Sequence, residues 1–352
     1  MARKTMPCAW VVFAGLSLLL FFIVAYTREE AWSAVVLRDA GQAPTLAPTS
    51  EEGILRSIGA ASESRPLDVP TRAPGPKVVY AVFSSKPPKY RIKLETMLET
   101  WAMKPRSEGR FFAIVGEGYP RHWLIPGCVM IVDCPDSTNG LPCKETHLIQ
   151  EGVRRDADWL FVTGEDNWIN TEALENALRT RRPHDEVGLG CLGCGTGQKQ
   201  FCSEVQRIGG LCGGCGYALS RAALDHLLRG GAGALESEYG RESRWPNDMR
   251  TSCALRSRGV RLDRLPNLVG GPMFGKMNFV RAMSNGILVF HYVTPSVMRW
   301  LHGVQTKSPA EDVDRLERLA FDQGCAIGMN TTHWTRQYSA CLEQHMAAGP
   351  KK

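Results

Sequence analysis

Four cysteines between Cys191 and Cys215 have a spacing that could bind a metal ion. They form two C-x-x-C pairs, Cys191 with Cys194 and Cys212 with Cys215, and seventeen residues separate the two pairs. This spacing fits a zinc ribbon, in which four thiolates hold one Zn²⁺. The same cysteines could instead form disulfides, and the compartment in which the chain folds decides between these alternatives.

The segment GLGCLG at 188–193 overlaps the first pair and matches the G-x-G-x-x-G pattern of nucleotide-binding loops. In those loops the chain enters a helix whose N-terminus binds the pyrophosphate. Here the chain continues into GTGQKQ, which does not have a helical pattern. We therefore interpret residues 188–193 as the end of a strand and a turn.

Two adjacent carboxylates, Glu165 and Asp166, follow the predicted strand DWLFVTG at 158–164. Carboxylate oxygens suit Mg²⁺ or Mn²⁺, and a cation at the end of a buried strand would neutralise charge on a bound diphosphate. An ordinary acidic turn is the alternative, because Gly, Asp and Asn also form tight turns.

Three later stretches contain further candidates. GGLCGGCGYALSRAAL (209–224) is a glycine-rich loop that we expect to enter a helix near Ser220, and its glycines would let the backbone approach a ligand closely. WPNDMRTSCALRSRGV (245–260) places Asp248 in the first turn of a helix that Gly259 would end. ILVFHYVTP (287–295) is a predicted strand that carries His291. Taken singly, Asp248 could be only a dipole-favoured cap and His291 only a structural histidine.

The elements that must position these residues alternate between strands and helices. Apolar, β-branched runs predict strands at 77–84, 110–116, 128–134 and 158–164. Helical spacing predicts helices at 91–101, 144–155 and 170–181, the last with Asn170 as its N-cap. This alternation indicates an α/β fold with mostly parallel strands, in which ligands bind outside the carboxyl ends of the strands.

The N-terminal residues predict a type II membrane topology. Residues 9–26 (AWVVFAGLSLLLFFIVAY) carry no charge, and as a helix they would span about 27 Å, close to the thickness of a bilayer core. Arg3 and Lys4 precede them, so we assign residues 1–8 to a cytoplasmic tail, 9–26 to an uncleaved signal anchor and the rest to the lumen. A cleaved signal peptide is the alternative. Residues 27–76 are rich in Pro, Ser, Ala and Thr, which predicts a flexible stem.

A luminal location favours disulfides over zinc for the cysteine-rich segment. Eleven of the twelve cysteines follow the anchor, in an oxidising compartment. Their odd number leaves at least one cysteine free or paired with another chain, so a disulfide-linked or non-covalent homodimer is open. The sequon Asn330-Thr331-Thr332 fits the same compartment. The net charge of +6 is spread along the chain without a basic block, which gives no support for nucleic-acid binding.

Six segments resemble, in order, motifs of the Fringe and core-1 galactosyltransferase group of inverting β-1,3-glycosyltransferases, glycosyltransferase family 31. The resemblance extends from about Val78 to Val293. The segments are SSKPPKYRIKLETMLETW (84–101), CPDSTNGLPCKETH (134–147), DWLFVTGEDNWI (158–169), GGCGYALSR (213–221), WPNDMRTSCAL (245–255) and FHYVTP (290–295). Taken in the same order, the first three segments are similar to the family's opening helix ending in Thr-Trp, the Fringe cysteine pair and the three-aspartate strand. The last three are similar to the Gly-Gly-Ala-Gly-Phe loop, the Pro-Asp-Asp helix start and the late histidine motif.

The resemblance implies a GT-A type fold, a Rossmann-like mixed sheet flanked by helices that binds a nucleotide sugar. Residues 77–305 would form a luminal glycosyltransferase domain. The C-terminal extension at 306–352 lies outside the resemblance, and its residues themselves suggest a short helix at 312–321 and a pairing of Cys325 with Cys341. The implied reaction transfers a hexose or N-acetylhexosamine, galactose or GlcNAc above all, from a UDP-sugar to a glycan or glycoprotein in β-1,3 linkage with inversion. The implied cofactor is Mn²⁺ or Mg²⁺, and the implied location is the Golgi or endoplasmic-reticulum membrane.

The resemblance also assigns a metal site. Asp166 matches the family's metal-binding aspartate and His291 matches the family's third ligand position, and imidazole suits manganese better than magnesium. Glu165 holds the middle position of the acidic motif, where it would face the donor ribose or the water around the metal. Gly164 replaces the first acid of the motif.

The remaining roles follow in the same way. Asp248 matches the catalytic base, and Asn247 replaces the acid before it. Gly213 and Gly214 match the donor-binding loop. The positions matched with a supporting or donor-binding role are Arg91, Trp101 and Lys144, and the cysteines matched with the Fringe pair are Cys134 and Cys143.

A non-catalytic relative that acts as a secretory-pathway chaperone or binding protein is the alternative function. The replaced acids at Gly164 and Asn247 are the evidence for it. Retention of Asp166, Asp248 and His291 favours the enzyme, because these three residues are the smallest set that the chemistry requires.

Overall fold

The computed structural model describes residues 75–241, 245–269, 283, 286–307 and 339–344, which all belong to the unit Arg72–Lys352. Several predictions lie outside these residues: the cytoplasmic tail, the signal anchor, nearly all of the stem, the helix at 312–321, Cys325 and the sequon at Asn330. Within the described residues, no helix is long and apolar enough to cross a membrane.

A seven-stranded sheet forms the centre of the domain. The strands of the chain are β1 (Val78–Phe83), β2 (Phe111–Val115), β3 (Val129–Ile131), β4 (Trp159–Gly164), β5 (Trp168–Ile169), β6 (Val187–Gly190), β7 (Leu192–Cys194), β8 (Gly210–Leu211), β9 (Tyr217–Ser220), β10 (Arg261–Arg264), β11 (Leu268–Val269) and β12 (Val289–Phe290). The order in the large sheet is β10-β6-β9-β4-β1-β2-β3, and β9 runs antiparallel to both β4 and β6 while the other strands are parallel. The prediction of a mostly parallel α/β sheet is therefore confirmed.

Helices cover both faces of this sheet. They are α1 (Pro88–Glu99), α2 (Met103–Ser107), α3 (Leu141–Arg154), α4 (Thr171–Arg179), α5 (Ser203–Ile208), α6 (Arg221–Leu227), α7 (Ala232–Arg241), α8 (Asn247–Ser257) and α9 (Pro295–Lys307). The predicted caps are confirmed at two helices. The side chain of Asn170 accepts a hydrogen bond from the Ala173 amide at 3.1 Å, and Gly259 takes a left-handed φ of 77° just after α8.

Strand β1 explains why the core has two halves. Successive side chains of a strand point to opposite faces, so Val78, Tyr80 and Val82 enter one cluster and Val79 and Ala81 the other. The first cluster includes apolar residues of α1, α4 and α9, and the second includes those of α3, α6, α7 and α8. Because both faces of the strand are buried, its sequence is apolar throughout rather than alternating.

The structure corrects the prediction of a strand at 287–295. Only Val289–Phe290 is a strand, and it belongs to a separate three-stranded sheet in the order β11-β12-β5. Tyr292 has a left-handed φ of 60°, which turns the chain toward α9. His291 therefore lies in the turn after the strand, not within it.

The glycine-rich segments also differ from the prediction. The helix predicted near Ser220 is confirmed, because Ser220 caps α6, but the segment before it also contains the short strands β8 and β9. Residues 188–193 contain the predicted strand end, but β7 begins at Leu192 where a turn was expected. Neither YALS nor LGC is long enough to produce a recognisable apolar period.

Four disulfides lie within the described residues. Cys134 is bonded to Cys143, as the resemblance implies. The two C-x-x-C motifs are joined to each other, Cys191 to Cys215 and Cys194 to Cys212, and a further disulfide links Cys202 to Cys253. The preference for disulfides is confirmed and the zinc ribbon is excluded, because sulfurs bonded in pairs are not thiolate ligands.

Two other cysteines bear on the predicted pairing. Cys128 is free and only 6% exposed, so it is not placed to form a disulfide with a second chain. Cys341 is disulfide-bonded. Its predicted partner Cys325 lies outside the part of the chain that the structure describes.

A buried ion pair joins the ends of β1 and β2 to α3. Lys144 Nζ lies 2.6 Å from Asp136 Oδ1, both side chains are 2% exposed, and the same ammonium donates to the carbonyl of Ser84 at 3.1 Å. Asp136 also accepts hydrogen bonds from the Lys86 amide and the Ser85 hydroxyl. Burial opposes ionisation of Asp136, but these hydrogen bonds outweigh burial and lower its pKa.

We expect Lys144→Met to lower the free energy of unfolding by about 3–5 kcal/mol, because it leaves Asp136 as a buried charge without its main partner. Urea unfolding with the disulfides intact measures this change. The matched control is Lys104→Met on the exposed side of α2, which should change stability by less than about 0.5 kcal/mol. Equal stability of the two variants would contradict the assigned role of the pair.

Candidate active site

A cavity of ≈ 730 Å³ opens at the carboxyl ends of β1 and β4. The turn that enters α3 forms one wall, and the start of α8, residues 245–248, forms another. Gly213, Gly214, Tyr217, Arg250 and His291 complete the lining. This is the edge of the sheet at which ligands of parallel α/β folds bind.

Asp248 lies in the first turn of α8, where backbone amides hold its carboxylate. The Gly213 amide donates to Oδ2 at 2.7 Å, and the Met249 amide donates to Oδ1 at 2.9 Å. Burial raises the pKa of Asp248, although the hydrogen bonds from these amides act in the opposite direction. The result is an oriented carboxylate that is more basic than an exposed aspartate.

The absence of side chains at the two loop glycines lets the loop backbone approach Asp248 and His291 closely. A Cβ on Gly213 would lie 3.1 Å from Asp248 Oδ2, and a Cβ on Gly214 would lie 2.5 Å from His291 Nδ1. Consecutive residues of one loop therefore contact Asp248 and His291. This contact brings the predicted base and the predicted metal ligand to the same cavity.

His291 in turn lies beside Asp166. The distance between His291 Nε2 and Asp166 Oδ1 is 3.6 Å, and the Val293 amide donates to the Asp166 carbonyl at 2.9 Å. Lys93 Nζ lies 3.4 Å from Asp166 Oδ2. Gly164 lines the cavity next to this pair, and a Cβ there would lie 3.2 Å from Asp166 Oδ1.

The pair of Asp166 and His291 fits a divalent cation that has only two protein ligands. Donor atoms 3.6 Å apart can both reach one ion, since bonds of about 2.0–2.2 Å at roughly a right angle or wider span such a distance. Among the described residues, Cys134, Cys143 and His147 lie close enough together to be considered as three ligands of one metal ion. Two of them are joined in a disulfide and are therefore not thiolate ligands. The donor set of one carboxylate and one imidazole suits manganese.

Glu165 is adjacent to this pair, partly buried. Its pKa is raised to about 7, first by burial and then by the charge of Asp166. It is not among the residues that line the cavity. Its predicted contact with the donor ribose stays a prediction.

The three residues to which the resemblance gives a supporting or donor-binding role lie in different places. Trp101 is buried and its indole donates to the Asn167 carbonyl at 2.9 Å, at the turn that carries the acidic pair. Lys144 holds the strand ends through Asp136, as described above. Arg91 is ion-paired with Glu95 at 2.6 Å and lies over the ring of Trp123, so it does not line this cavity.

Asn167 is a supporting residue that the sequence prediction treated only as part of a turn. Its buried amide donates to Thr163 Oγ1 at 2.6 Å and to the Gly214 carbonyl at 3.2 Å. It thereby connects the end of β4 to the loop that contacts His291. The signal in the sequence was its place directly after Asp166, where an amide can bond to a neighbouring backbone.

Glu145 is a second residue that the prediction did not assign. It is fully buried in α3, and its Oε1 accepts short hydrogen bonds from the hydroxyls of Tyr217 and Thr251. Thr251 lies on α8 with Asp248, and Tyr217 lines the cavity. Burial is the main cause that raises the pKa of Glu145, to about 7. The hydrogen bonds from Thr251 and Tyr217 act in the opposite direction, and the negative charge of Asp248 adds to the rise.

We expect Glu145→Gln to become more stable than the wild type as pH rises. A carboxyl with a raised pKa in the folded state opposes folding once it ionises, so the wild type loses stability between pH 4.5 and about 7. Above that range the difference would reach up to about 3 kcal/mol, since each pKa unit corresponds to about 1.4 kcal/mol. Urea unfolding of both proteins from pH 5 to 8 measures it.

The matched control for Glu145→Gln is Glu236→Gln, at an exposed position of α7. Its stability should follow that of the wild type at every pH. A constant difference between Glu145→Gln and the wild type across the range would contradict the raised pKa.

The comparisons with known proteins are distant. No protein-family model and no curated protein matches the chain. Among solved structures, it is similar to mannose-1-phosphate geranyltransferase from Thermus thermophilus, with 16% identity over 55% of this chain and 70% of that chain and a TM-score of 0.27. It is also similar to galactosyltransferase LgtC in complex with donor and acceptor sugar analogs, with 10% identity over 66% of this chain and 98% of that chain and a TM-score of 0.38. These scores are too low to establish a shared fold, so the function is argued from the site itself.

Proposed function

We propose that this protein is a glycosyltransferase that uses a UDP-sugar. The observation that carries the proposal is the series of contacts that leads from Asp248 through Gly213, Gly214 and His291 to Asp166. The first four of these residues line one cavity, and Asp166 lies 3.6 Å from His291. This arrangement combines an oriented carboxylate base with a pair of metal-binding side chains. An inverting transfer from a nucleoside diphosphate uses a base to deprotonate the acceptor hydroxyl, and a divalent cation stabilises the diphosphate leaving group.

The cavity suits a UDP-sugar that binds with a divalent cation. Asp166 and His291 would hold Mn²⁺ or Mg²⁺, and Gly213 and Gly214 would contact the donor through their backbone. When bound, the cation neutralises the charge of the diphosphate leaving group. Two protein ligands leave the other positions of the ion open to phosphate oxygens and water.

Asp248 is the base of the proposed reaction. It accepts the proton of an acceptor hydroxyl as that oxygen forms a bond to the anomeric carbon. The bond from the anomeric carbon to the UDP oxygen breaks on the opposite face, so the configuration inverts and UDP departs with the electron pair. The amides of Gly213 and Met249 orient the carboxylate for this step, and its raised pKa makes it a better proton acceptor.

The assignment of a linkage, a donor sugar and an acceptor rests on the resemblance to the Fringe and core-1 group, a GT-A type family. On that basis we propose β-1,3 transfer of galactose or GlcNAc to a glycan or glycoprotein. The disulfide pairing of Cys134 with Cys143 supports the resemblance. We also propose a type II protein of the Golgi or endoplasmic-reticulum membrane, and the four disulfides support a compartment that is oxidising.

A non-catalytic chaperone or binding protein is the second candidate. The observation that favours it is the absence of acids at Gly164 and Asn247, both of which line the cavity. Such a protein would keep the cavity but would not turn over a nucleotide sugar. The two candidates therefore differ in a measurable product, free UDP.

We expect Asp248→Asn to lower the rate of sugar transfer by about 10²–10⁴-fold, because the amide cannot accept the proton. The measurement is UDP release by the full-length chain in detergent with Mn²⁺, UDP-galactose or UDP-GlcNAc, and simple glycosides of GalNAc or fucose. The wild-type rate should fall as pH drops through the pKa of Asp248, which lies above the ordinary value for aspartate. The exposed Asp225→Asn on α6 is the control and should keep the wild-type rate. If the folded wild-type protein releases no UDP from either donor, the proposed transferase function would be overturned and the non-catalytic binding protein would be favoured.

Removal of the imidazole tests the metal site separately. We expect His291→Ala to weaken binding of UDP in the presence of Mn²⁺ by at least about tenfold. Gly214→Ala should weaken it similarly, because the added Cβ would lie 2.5 Å from the imidazole and must displace it. The control Gly233→Ala adds a Cβ that meets nothing within 4 Å. Calorimetric titration with UDP measures all three, and unchanged affinity in His291→Ala would exclude it as a ligand.

A further inference from the structure

Trp245 is a cavity residue that the proposed mechanism does not use. It lies three residues before Asp248, at the entrance of α8, and both residues line the same cavity. Its side chain is partly exposed, whereas Trp159 and Trp168 are fully buried in the core. A partly exposed indole in the lining of an open cavity offers a binding surface for a ligand.

A small apolar cluster packs against this indole and restricts its orientation. The ring of Phe201 meets the ring of Trp245 edge-on, with a centroid distance of 5.3 Å and an interplanar angle of 88°. Phe201 is 7% exposed and packs with Val205 and Met249. Since Met249 follows Asp248, the cluster positions the indole relative to the predicted base.

Two disulfides hold the segment that carries Phe201. Cys202, next to Phe201, is bonded to Cys253 of α8, and Cys194 is bonded to Cys212 at the end of the same segment. The segment is therefore covalently attached to the helix of Asp248 and to the glycine loop. Such attachment limits movement of Phe201 away from Trp245.

We propose that Trp245 forms the acceptor subsite, where it packs against the ring of the acceptor sugar. This inference rests on the proposed glycosyltransferase function. The C–H face of a pyranose is weakly positive and packs on the negative face of an indole, while the hydroxyls at its rim stay free for hydrogen bonds. A sugar on Trp245 would present one hydroxyl to Asp248, which is what the base requires.

The position of Trp245 favours the acceptor over the donor. The donor diphosphate would lie with the cation at Asp166 and His291, and Gly214 contacts His291 while Gly213 contacts Asp248. Trp245 lies on the Asp248 side of this arrangement, at the start of α8. The chemical class of the ligand is therefore a neutral hexose or N-acetylhexosamine ring of a glycan.

The test measures acceptor and donor parameters in full-length variants. We expect Trp245→Ala to raise KM for the acceptor glycoside, p-nitrophenyl GalNAc or fucose, at least tenfold. KM for the UDP-sugar and UDP release without acceptor should stay within about twofold of wild type. Trp245→Phe should retain part of the acceptor affinity. Trp300→Ala, which removes a partly buried indole of α9 outside the cavity, should leave acceptor KM unchanged.

Phe201 acts through Trp245 and is a positioning residue. Phe201→Leu should raise acceptor KM less than Trp245→Ala does, and it should have no further effect in the Trp245→Ala background. An unchanged acceptor KM in Trp245→Ala would overturn the subsite. An equal rise in donor KM would overturn it as well, because the indole would then contact the nucleotide.

Saturation-transfer NMR with the same glycosides provides a readout that does not require turnover. A glycoside signal that is present with the wild type and lost with Trp245→Ala supports the subsite. This result would hold even if the wild type transfers no sugar and the proposed glycosyltransferase function is wrong. Equal contact in both proteins overturns the subsite while leaving the transferase to the UDP-release assay.

Discussion

The close approach of Gly213 and Gly214 to Asp248 and His291 is the constraint on which the rest of the candidate site depends. The Gly213 amide donates to Asp248 at 2.7 Å, and a single Cβ on Gly214 would displace His291. The separation of the proposed base Asp248 from the proposed metal ligand His291 is therefore set by the backbone of one loop. A glycine backbone loses more entropy on ordering than any other, so the loop must be held by contacts outside itself.

Covalent and hydrogen-bonded contacts hold the loop at both ends. Cys212 and Cys215, which flank the two glycines, are bonded to Cys194 and Cys191 rather than to each other. A disulfide within one C-x-x-C would close the loop on itself, whereas the crossed pairs attach it to the segment after β6. Strand β9 then pairs with both β4 and β6, and Asn167 donates to the Gly214 carbonyl. The cysteine-rich segment and the candidate site are thus one unit, and the zinc-ribbon spacing reflects how that unit is closed.

Much of the fold could be predicted because its signals are local. The buried strands VVYAVF and FFAIV are apolar on both faces, and Asn170 caps its helix through its own side chain. The short strand β9 and the turn at Tyr292 could not be predicted, because long-range pairing and a left-handed φ without glycine leave no local pattern. The same holds for the site. Motif resemblance is enough to assign roles to Asp166, Asp248 and His291 as predictions, but the buried position of Glu145 and the edge-on contact of Trp245 with Phe201 depend on packing between distant segments.

The replaced acid at Gly164 has a different meaning once the position of Asp166 is known. A Cβ at residue 164 would lie 3.2 Å from Asp166 Oδ1, closer than side chains normally pack, so an acid there would require the Asp166 carboxylate to move. The absence of a side chain leaves Asp166 room to lie 3.6 Å from His291. The missing carboxylate at residue 164, which favours the non-catalytic protein, is therefore also a feature that leaves space beside the proposed metal ligands. What decides between the two functions is whether Asp248, held by two amides and raised in pKa by burial, removes a proton from a bound acceptor.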